Sequence, residues 1–395
     1  MRRALKFRAY LTRPQEGRAV RLLADHCELY NAALEERREA WRMRRVGVSY
    51  GVQSAQLREI RHADPSGQGR HSFTAQQQTL RRLNTVFAAF YARAEKGKGK
   101  AGYPRFKPHS RFSHVGFAAG DGAKWTAAPP GGWARARFQA VGTVKVRQHR
   151  AVPGIVKFLQ LKREHRRWYV IVITETSPVP LPATGRTVGV DVGVARFLTT
   201  SDGQVVANPK FLAASAETIA GLQWRKERAR RGSGNRQRIR RQLAKEWRKV
   251  RNRRRDFHHK TARALLNSCD LIALEKLNTA GMTRRPAPKP DPSTPGAFLP
   301  NGAAAKTGLN RSILDAGWAQ FANILTGKAE EAGRRVVLVN PARTSIECHC
   351  CGRECTRPQQ DTVICPVHGQ MDADLNGARN IATRAGLGSG QAFAA

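Results

Sequence analysis

The sequence predicts an α+β protein of several domains, and three observations carry that expectation. Helical periodicity fills most of the first hundred residues. Alternating, strand-like runs replace it up to about residue 176. From residue 187 onwards, strand and helix signals interleave, and a cysteine cluster interrupts them near the end. With 395 residues the chain is long enough for two or three domains, and 41% apolar residues are enough to build their cores.

The charge limits the partners. Lys and Arg number 70 against 29 Asp and Glu, a formal net charge of +41. Such an excess repels itself unless a polyanion neutralises it, and nucleic acid is the polyanion that fits. An anionic membrane surface fits less well, because no amphipathic segment stands apart as an anchor. No apolar run is long enough to span a membrane, and the basic start "MRRALKFRAYLTRPQEG" has no apolar run behind it, so neither a span nor a secretory signal is expected. A cytoplasmic, nucleoid-associated location in a prokaryote follows as the expectation. Five of the seven cysteines fall between Cys348 and Cys365, which favours a metal site over a disulfide framework.

The elements follow in order. Residues 3–10, "RALKFRAY", alternate as an edge strand does. From Pro14 to Glu95 the pattern is helical, with Leu22, Leu23, Cys27, Tyr30, Ala33 and Leu34 on one stripe and Leu80, Leu83, Val86, Phe87 and Phe90 on another. "HADPSGQGRHS" is a loop between them, and "KGKGKAG" is a basic linker after them. "GTVKVRQHR", "GIVKFLQLKRE" and "RRWYVIVITET" read as successive strands, with basic and aromatic residues alternating as on a β surface that touches nucleic acid. "TVGVDVG", "RFLTTSD" and "QVVAN" are three more strands. A basic helical hairpin follows, bent at "GSGN": residues 225–263 hold 18 Lys or Arg against three acids. A stripe of Ile239, Leu243, Trp247, Val250 and Phe257 marks its second arm as a folded helix. "CDLIALEKLN" is a strand ending in an acid. "RRPAPKPDPSTPGAFLPNGAAAKTG" reads as a mobile loop, "NRSILDAGWAQFANILTGKAEEAG" as one amphipathic helix, "RRVVLVNP" as a strand and "DLNGARNIATRAG" as a final helix.

Three acids stand where acids are costly. Asp191 interrupts an apolar strand, Glu275 ends another, and Asp374 opens a helix. A buried carboxylate needs a partner or a cation. Three that converge form a hard oxygen site suited to Mg²⁺, and two Mg²⁺ ions in such a site serve phosphodiester hydrolysis. That is the arrangement of an RNase H-like nuclease domain. Cys348 and Cys351 form one knuckle ending in Gly352, and Cys365 and His368 form another ending in Gly369, with 13 residues between the pairs. The spacing reads as a structural Zn²⁺ ribbon of Cys3His type, with Cys350 and Cys355 as alternative ligands and His349 a bystander. Cys27 and Cys269 read as core residues. No phosphate-binding loop and no H-E-x-x-H motif occurs, and "HHK" at residues 258–260 reads as a phosphate contact.

Together these motifs resemble the TnpB proteins, transposon-encoded RNA-guided nucleases, and the related compact type V CRISPR effectors. "GVDVGVARFLTTSDG", "IALEKLN" and "DADLNGARNI" resemble the three motifs of their RuvC-like domain. "YPRFK", "NRSILDAGW", "RTS" and the basic stretch from Gly234 to Lys260 are similar to further signatures. The resemblance implies Asp191, Glu275 and Asp374 as catalytic Mg²⁺ ligands, with Asp372 the alternative to Asp374. The second zinc knuckle of the family usually ends in Cys, where His368 stands here. The third motif often reads Asn-Ala-Ala, where Asn376, Gly377 and Ala378 stand here.

The resemblance further implies a β-rich, barrel-like wedge domain (1–11 and 99–183) and a helical recognition lobe (12–98). It implies an RNase H-like (RuvC) nuclease domain (184–343 and 371–386) carrying the basic hairpin (222–267), a zinc ribbon inserted in it (344–370), and a tail (387–395). Its partners would be a structured guide RNA and double-stranded target DNA beside a short duplex motif. Tyr103, Arg105, Lys107, Arg248, Arg251, Arg254, Arg255 and Lys260 would contact nucleic acid. A non-cutting RNA-guided repressor and an unguided RuvC-like nuclease are the alternatives.

Overall fold

The computed structural model describes residues 1–95, 97, 101–294 and 296–387. Most of the basic linker and residues 388–395 of the expected tail lie outside the described residues. The chain divides into two compact units, Met1–Ser177 and Pro178–Ala395.

The first unit joins three helices to one sheet. After β1 (Arg2–Tyr10) come α1 (Arg13–Arg44), α2 (Tyr50–Ala63) and α3 (Phe73–Glu95). Thr12 starts α1 with a capping box: its hydroxyl accepts from Gln15 N, and Gln15 Oε1 accepts from Thr12 N. The predicted stripe of α1 is buried throughout, from Leu22 to Leu34. Strands β2 (His114–Ala118), β3 (Ala123–Thr126), β4 (Gly132–Phe138), β5 (Gly142–Gln148), β6 (Ile155–Glu164) and β7 (Arg167–Glu175) complete an antiparallel sheet in the order β2-β6-β7-β1-β5-β4-β3. Its two ends are consecutive in the chain and meet at a bridge between Ala119 and Ala123, so the sheet is nearly closed.

Two expectations are corrected here. The first strand is not at an edge: β1 pairs with β7 along most of its length and with β5 at its end. Leu5, Phe7 and Ala9 are buried, so its alternation reports one inward face and says nothing of neighbours. Three strands were also not expected individually, β2 to β4. In β4, "GWARARF", alanines fill the inward positions between arginines, and small side chains give a weak apolar signal.

The second unit is built on a five-stranded sheet, β10-β9-β8-β11-β14. It comprises β8 (Thr187–Val192), β9 (Arg196–Thr200), β10 (Val205–Ala207), α4 (Ala216–Arg228), α5 (Gly234–Ser268), β11 (Leu271–Glu275), α6 (Thr279–Met282), β12 (Lys289–Pro290), β13 (Phe298–Leu299), α7 (Ala303–Ala316), α8 (Trp318–Glu331) and β14 (Arg335–Val339). Three short strands, β15 (Thr356–Gln359), β16 (Thr362–Cys365) and β17 (Gly369–Asp372), precede the last helix, α9 (Ala373–Arg384). Strands β8, β9 and β10 are antiparallel neighbours, whereas β11 runs parallel to both β8 and β14.

The sheet is covered on both faces, which is why its strands read as unbroken apolar runs. Val188, Val190, Ile272 and Leu274 pack with residues of α5 and α8, including Leu266, Phe321 and Leu325. Leu271, Ala273 and Val339 pack with Ile381 of α9. Residues of alternate parity face opposite ways in a strand. Asp191 and Glu275 therefore share the α9 face with Gly189 and Ala273.

The expected single helix at residues 310–333 is two. Gly317, at φ +69°, ends α7 and begins α8. The unbroken apolar periodicity concealed a break that one left-handed glycine makes. The Pro-rich stretch expected to be a loop is partly ordered, since α7 begins at Ala303 and β12 pairs with β13.

Candidate functional site

The three acids come together at one end of the sheet of the second unit. Val190 is opposite Leu274 in the parallel ladder, so the next residues, Asp191 and Glu275, sit side by side where the strands end. Helix α9 closes the site from the same face. It approaches β8 very closely: a β-carbon at Gly189 would lie 2.2 Å from Ala378 O. Asp374 and Gly377 are three residues apart on α9 and share one face of it.

Asp191 stands within reach of the charges of the other two acids. Burial, then the charges of Glu275 and Asp374, push the Asp191 carboxyl up from 3.8 to about 7. Burial raises Glu275 too, against the Thr344 hydroxyl and the Arg384 charge, which lower it. Asp374 is raised by burial and by Asp372, with Arg196 and Arg357 acting the other way. Three half-buried carboxylates that repel one another form a donor set that fits a hard divalent cation.

The structure distinguishes Asp374 from Asp372. Asp372 is the N-cap of α9: its Oδ1 accepts from Leu375 N at 2.9 Å, and its Oδ2 receives Arg196 Nη1 at 2.7 Å. Both oxygens are engaged. Asp374 has one longer ion pair, 3.6 Å to Arg196, and lies in the field of Asp191.

The cysteine cluster folds as its spacing suggests. One ligand atom from each of Cys348, Cys351, Cys365 and His368 lies within 4.8 Å of all the others. Burial raises the Cys365 thiol, but the backbone amides of His368 and Val367 together with the His368 and Cys348 side chains hold it down at about 6, a knuckle arrangement that favours thiolate. Cys355 is buried beside these residues, its thiol pushed up to about 11 by burial and by Cys348 and Cys365. Cys350 is exposed, with His349 Nε2 3.3 Å from its Sγ. Four S and N donors suit Zn²⁺ and close its shell. Cys27 and Cys269 are core residues.

Sequence reasoning gave no role to the residues that hold these groups, although Thr344 lies in "RTS" and Asn376 and Asn380 lie in "DADLNGARNI". Thr344, only 2% exposed, donates its hydroxyl to Glu275 Oε1. Asn376 and Asn380, one turn apart on α9 and both buried, bond the main chain of the segment leading to Cys348. A pair of Asn residues four apart in a helix of apolar and small residues was the available signal, because buried amides must be satisfied.

The expected nucleic-acid contacts differ among themselves. Arg105, Arg251, Arg255 and Lys260 are exposed, and Arg248 is half-buried. Arg254 is ion-paired to the buried Asp315 at 2.6 Å. Lys107 has its Nζ 4.1 Å from the centre of the Tyr30 ring and is lowered to about 8 by burial and by Arg82. Tyr103 meets Phe87 and Phe90 edge-on. His258, expected on phosphate, is instead fully buried: its ring stacks on Phe197 and its Nε2 is 2.9 Å from Ala316 O. It belongs to the apolar stripe of α5 one residue after Phe257, a position the dense basic run obscured.

The chain resembles known proteins in sequence and in fold. Residues 170–285 match the family model described as "Probable transposase", and residues 318–381 match one described as "Cas12f1-like, TNB domain". The chain is 30% identical to the "Putative RNA-guided DNA endonuclease InsQ" of Escherichia coli (strain K12), over 93% of this chain and 88% of that protein. A Streptomyces pristinaespiralis protein described as an RNA-guided DNA endonuclease in the same terms is 29% identical, over 96% of this chain and 89% of its own length. In fold, the chain is similar to the protein of a Cas12f1–sgRNA–target DNA complex solved by cryo-EM. The TM-score is 0.60 at 14% identity, covering 93% of this chain and 82% of that one.

Proposed function

This chain belongs to the TnpB family of RNA-guided DNA endonucleases, and from that premise we propose that it binds a guide RNA and cuts the DNA the guide selects, at Asp191, Glu275 and Asp374. The observation that carries the proposal is the convergence of these three carboxylates, with Asp191 pushed up to about 7 by burial and by the other two. A protein that only bound DNA would have no use for so costly a cluster.

The mixed sheet β10-β9-β8-β11-β14, with antiparallel β8–β10 followed by parallel β11 and β14, supports an RNase H-like (RuvC) reading of this unit. Asp191, Glu275 and Asp374 would hold Mg²⁺. Bound there, Mg²⁺ would supply an activated water and stabilise the leaving oxygen of a phosphodiester. The chain's own residues set the site. Strand ends would fix Asp191 and Glu275, α9 would fix Asp374, Thr344 would orient Glu275, and Arg196 pairs with Asp372 at 2.7 Å and with Asp374 at 3.6 Å. Cys348, Cys351, Cys365 and His368 would hold a structural Zn²⁺.

The net charge of +41 supports a resident RNA, and neutralising it makes assembly salt-dependent. Guide pairing would select the target, while the protein reads a short flanking duplex and the heteroduplex backbone.

The test is to express the protein with its native flanking DNA and sequence the RNA that copurifies at moderate salt. One discrete RNA, which then directs Mg²⁺-dependent cleavage of a matched duplex, is the expected result. Repeat–spacer RNA would identify a CRISPR-linked context and a discrete flanking transcript a transposon-linked one. Random RNA with unguided cutting would overturn the guided reading.

A further inference from the structure

The two proposed metal sites are not independent neighbours. The segment between β14 and the first zinc knuckle touches both. At its start Thr344 donates to Glu275 Oε1. Three residues on, the main chain of Glu347 accepts Asn376 Nδ2 at 2.8 Å and Asn380 Nδ2 at 2.6 Å. Asn380 Nδ2 also reaches Thr344 O at 2.9 Å. Inside the first knuckle, directly after Cys348, His349 N donates to Asn376 Oδ1 at 2.9 Å. Both asparagines belong to α9, the helix that carries Asp374.

The second knuckle reaches the same helix from the other side. Cys365 ends β16, His368 follows, and β17 leads directly into the Asp372 cap of α9. One knuckle therefore follows four residues after the Thr344 that orients Glu275, and the other leads through β17 into the helix that presents Asp374. The same helix holds the segment a second way, since the Arg384 guanidinium bonds Asn340 O at 3.1 Å, Ala342 O and Glu347 Oε2, while within the segment Arg343 sits at φ +67°. A short irregular segment with one strained residue keeps its shape through the groups it is tied to.

We infer that the Cys348–Cys351–Cys365–His368 centre sets the divalent-metal affinity of the Asp191–Glu275–Asp374 cluster, and that Thr344 is the positioning residue through which the first knuckle acts on Glu275. The inference rests on the proposed reading of these two groups as metal sites. Zinc closes the two knuckles, the knuckles fix the 344–349 segment and the start of α9, and those fix two of the three carboxylates. Side chains that orient a metal ligand through a hydrogen bond are worth about 10- to 100-fold in metal affinity.

The experiment measures Mn²⁺ affinity by electron paramagnetic resonance on the full chain with its copurified RNA, with zinc content read in parallel. Thr344→Val should weaken Mn²⁺ binding about 10- to 100-fold while zinc content stays at one per chain, and Thr344→Ser should restore it. Removing zinc with a chelator should weaken Mn²⁺ binding in the wild type and add little in Thr344→Val. Should Thr344→Val fail to fold, Asn380→Ala, which keeps the Thr344 hydroxyl but releases its carbonyl, carries the same expectation. Unchanged Mn²⁺ affinity in a zinc-loaded variant, or in the stripped wild type, overturns the coupling and leaves the carboxylate site standing. A wild type that binds no Mn²⁺ at Asp191, as judged against Asp191→Asn, overturns the site itself and the coupling with it.

Discussion

Gly377 on α9 lies against Asp191 on β8: a β-carbon at Gly377 would stand 3.3 Å from Asp191 Oδ2. That distance is tight but meets the end of a side chain. Alanine gains up to about 1 kcal/mol over glycine within a helix. Gly377→Ala is therefore expected to raise the melting temperature slightly and to leave cleavage within a few-fold of wild type. Gly377→Val, with two more carbons directed at the carboxylate, should cut cleavage far more than it changes melting. Gly189 is the contrasting case, because its β-carbon would meet backbone, 2.2 Å from Ala378 O and 2.6 Å from Ala382 N. Gly189→Ala should lower both melting temperature and cleavage, since α9 has to move away from β8. Thermal unfolding and cleavage of a matched duplex, run side by side, separate the three variants.

The raised Asp191 carboxyl sets a pH dependence. Its ordinary value is 3.8 and in the fold it is about 7, because burial and then Glu275 and Asp374 oppose its charge. The folded state thus holds this proton more tightly than the unfolded chain. The associated stability is present in full below about 4 and is lost as pH rises through about 7. Metal-free protein should therefore melt lower at pH 8 than at pH 6 through this group, and Asp191→Asn should reduce that difference. Divalent metal competes with the same proton, so Mg²⁺ affinity should climb between pH 6 and pH 8. Equal melting at both pH values in wild type and Asp191→Asn would contradict the assignment.

Asp372 and Asp374 are two residues apart and should fail differently. Asp372 caps α9 and pairs with Arg196, so Asp372→Ala loses a cap worth about 1 kcal/mol. It should melt lower and keep measurable cleavage. Asp374→Ala removes a costly charge from the cluster, and it should melt no lower than wild type while losing cleavage by at least about 100-fold. Both should still bind guide RNA. The reverse pattern would exchange the roles of the two acids.

These contrasts show what the sequence could convey. Asp191 and Glu275 stood out because a charged residue sat in or at the end of an apolar run, where a carboxylate is costly without a partner or a cation. The knuckles stood out because the four residues whose ligand atoms come together are local in sequence, at Cys348 and Cys351 and at Cys365 and His368. Thr344 stood out only as the middle of "RTS", and its role did not, since a threonine in a loop carries no sign of the glutamate it will meet 69 positions away. Gly317 was hidden for a different reason: apolar periodicity continues across it, and only the left-handed backbone reveals the break between α7 and α8. The central place of β1 was equally hidden, because alternation records which face is buried and not how many strands lie beside it. His258 was misplaced because the cations around it dominate the local pattern, although its register with Phe257 and the core stripe makes it an interior residue.

The basic helix α5 provides a last contrast, between the adjacent residues Arg254 and Arg255. Arg254 is half-buried and its Nη2 reaches Asp315 Oδ1 at 2.6 Å, while Asp315 Oδ2 also accepts Leu212 N at 2.8 Å. Removing Arg254 leaves a buried carboxylate without its cation, a loss of about 3–5 kcal/mol for a buried pair and less at this partial exposure. Arg255 is exposed, and its Nε is 3.3 Å from His259 Nε2. A phosphate contact adds about one unit to the slope of log affinity against log salt, and a structural ion pair adds nothing to it. Arg255→Ala should therefore leave melting unchanged and flatten the salt dependence of RNA binding by about one unit. Arg254→Ala should lower melting and leave that slope as it is. Binding isotherms for the copurified RNA at several salt concentrations decide between them: a flattened slope in Arg254→Ala alone would mean that the guanidinium paired with Asp315 is also the one that meets phosphate.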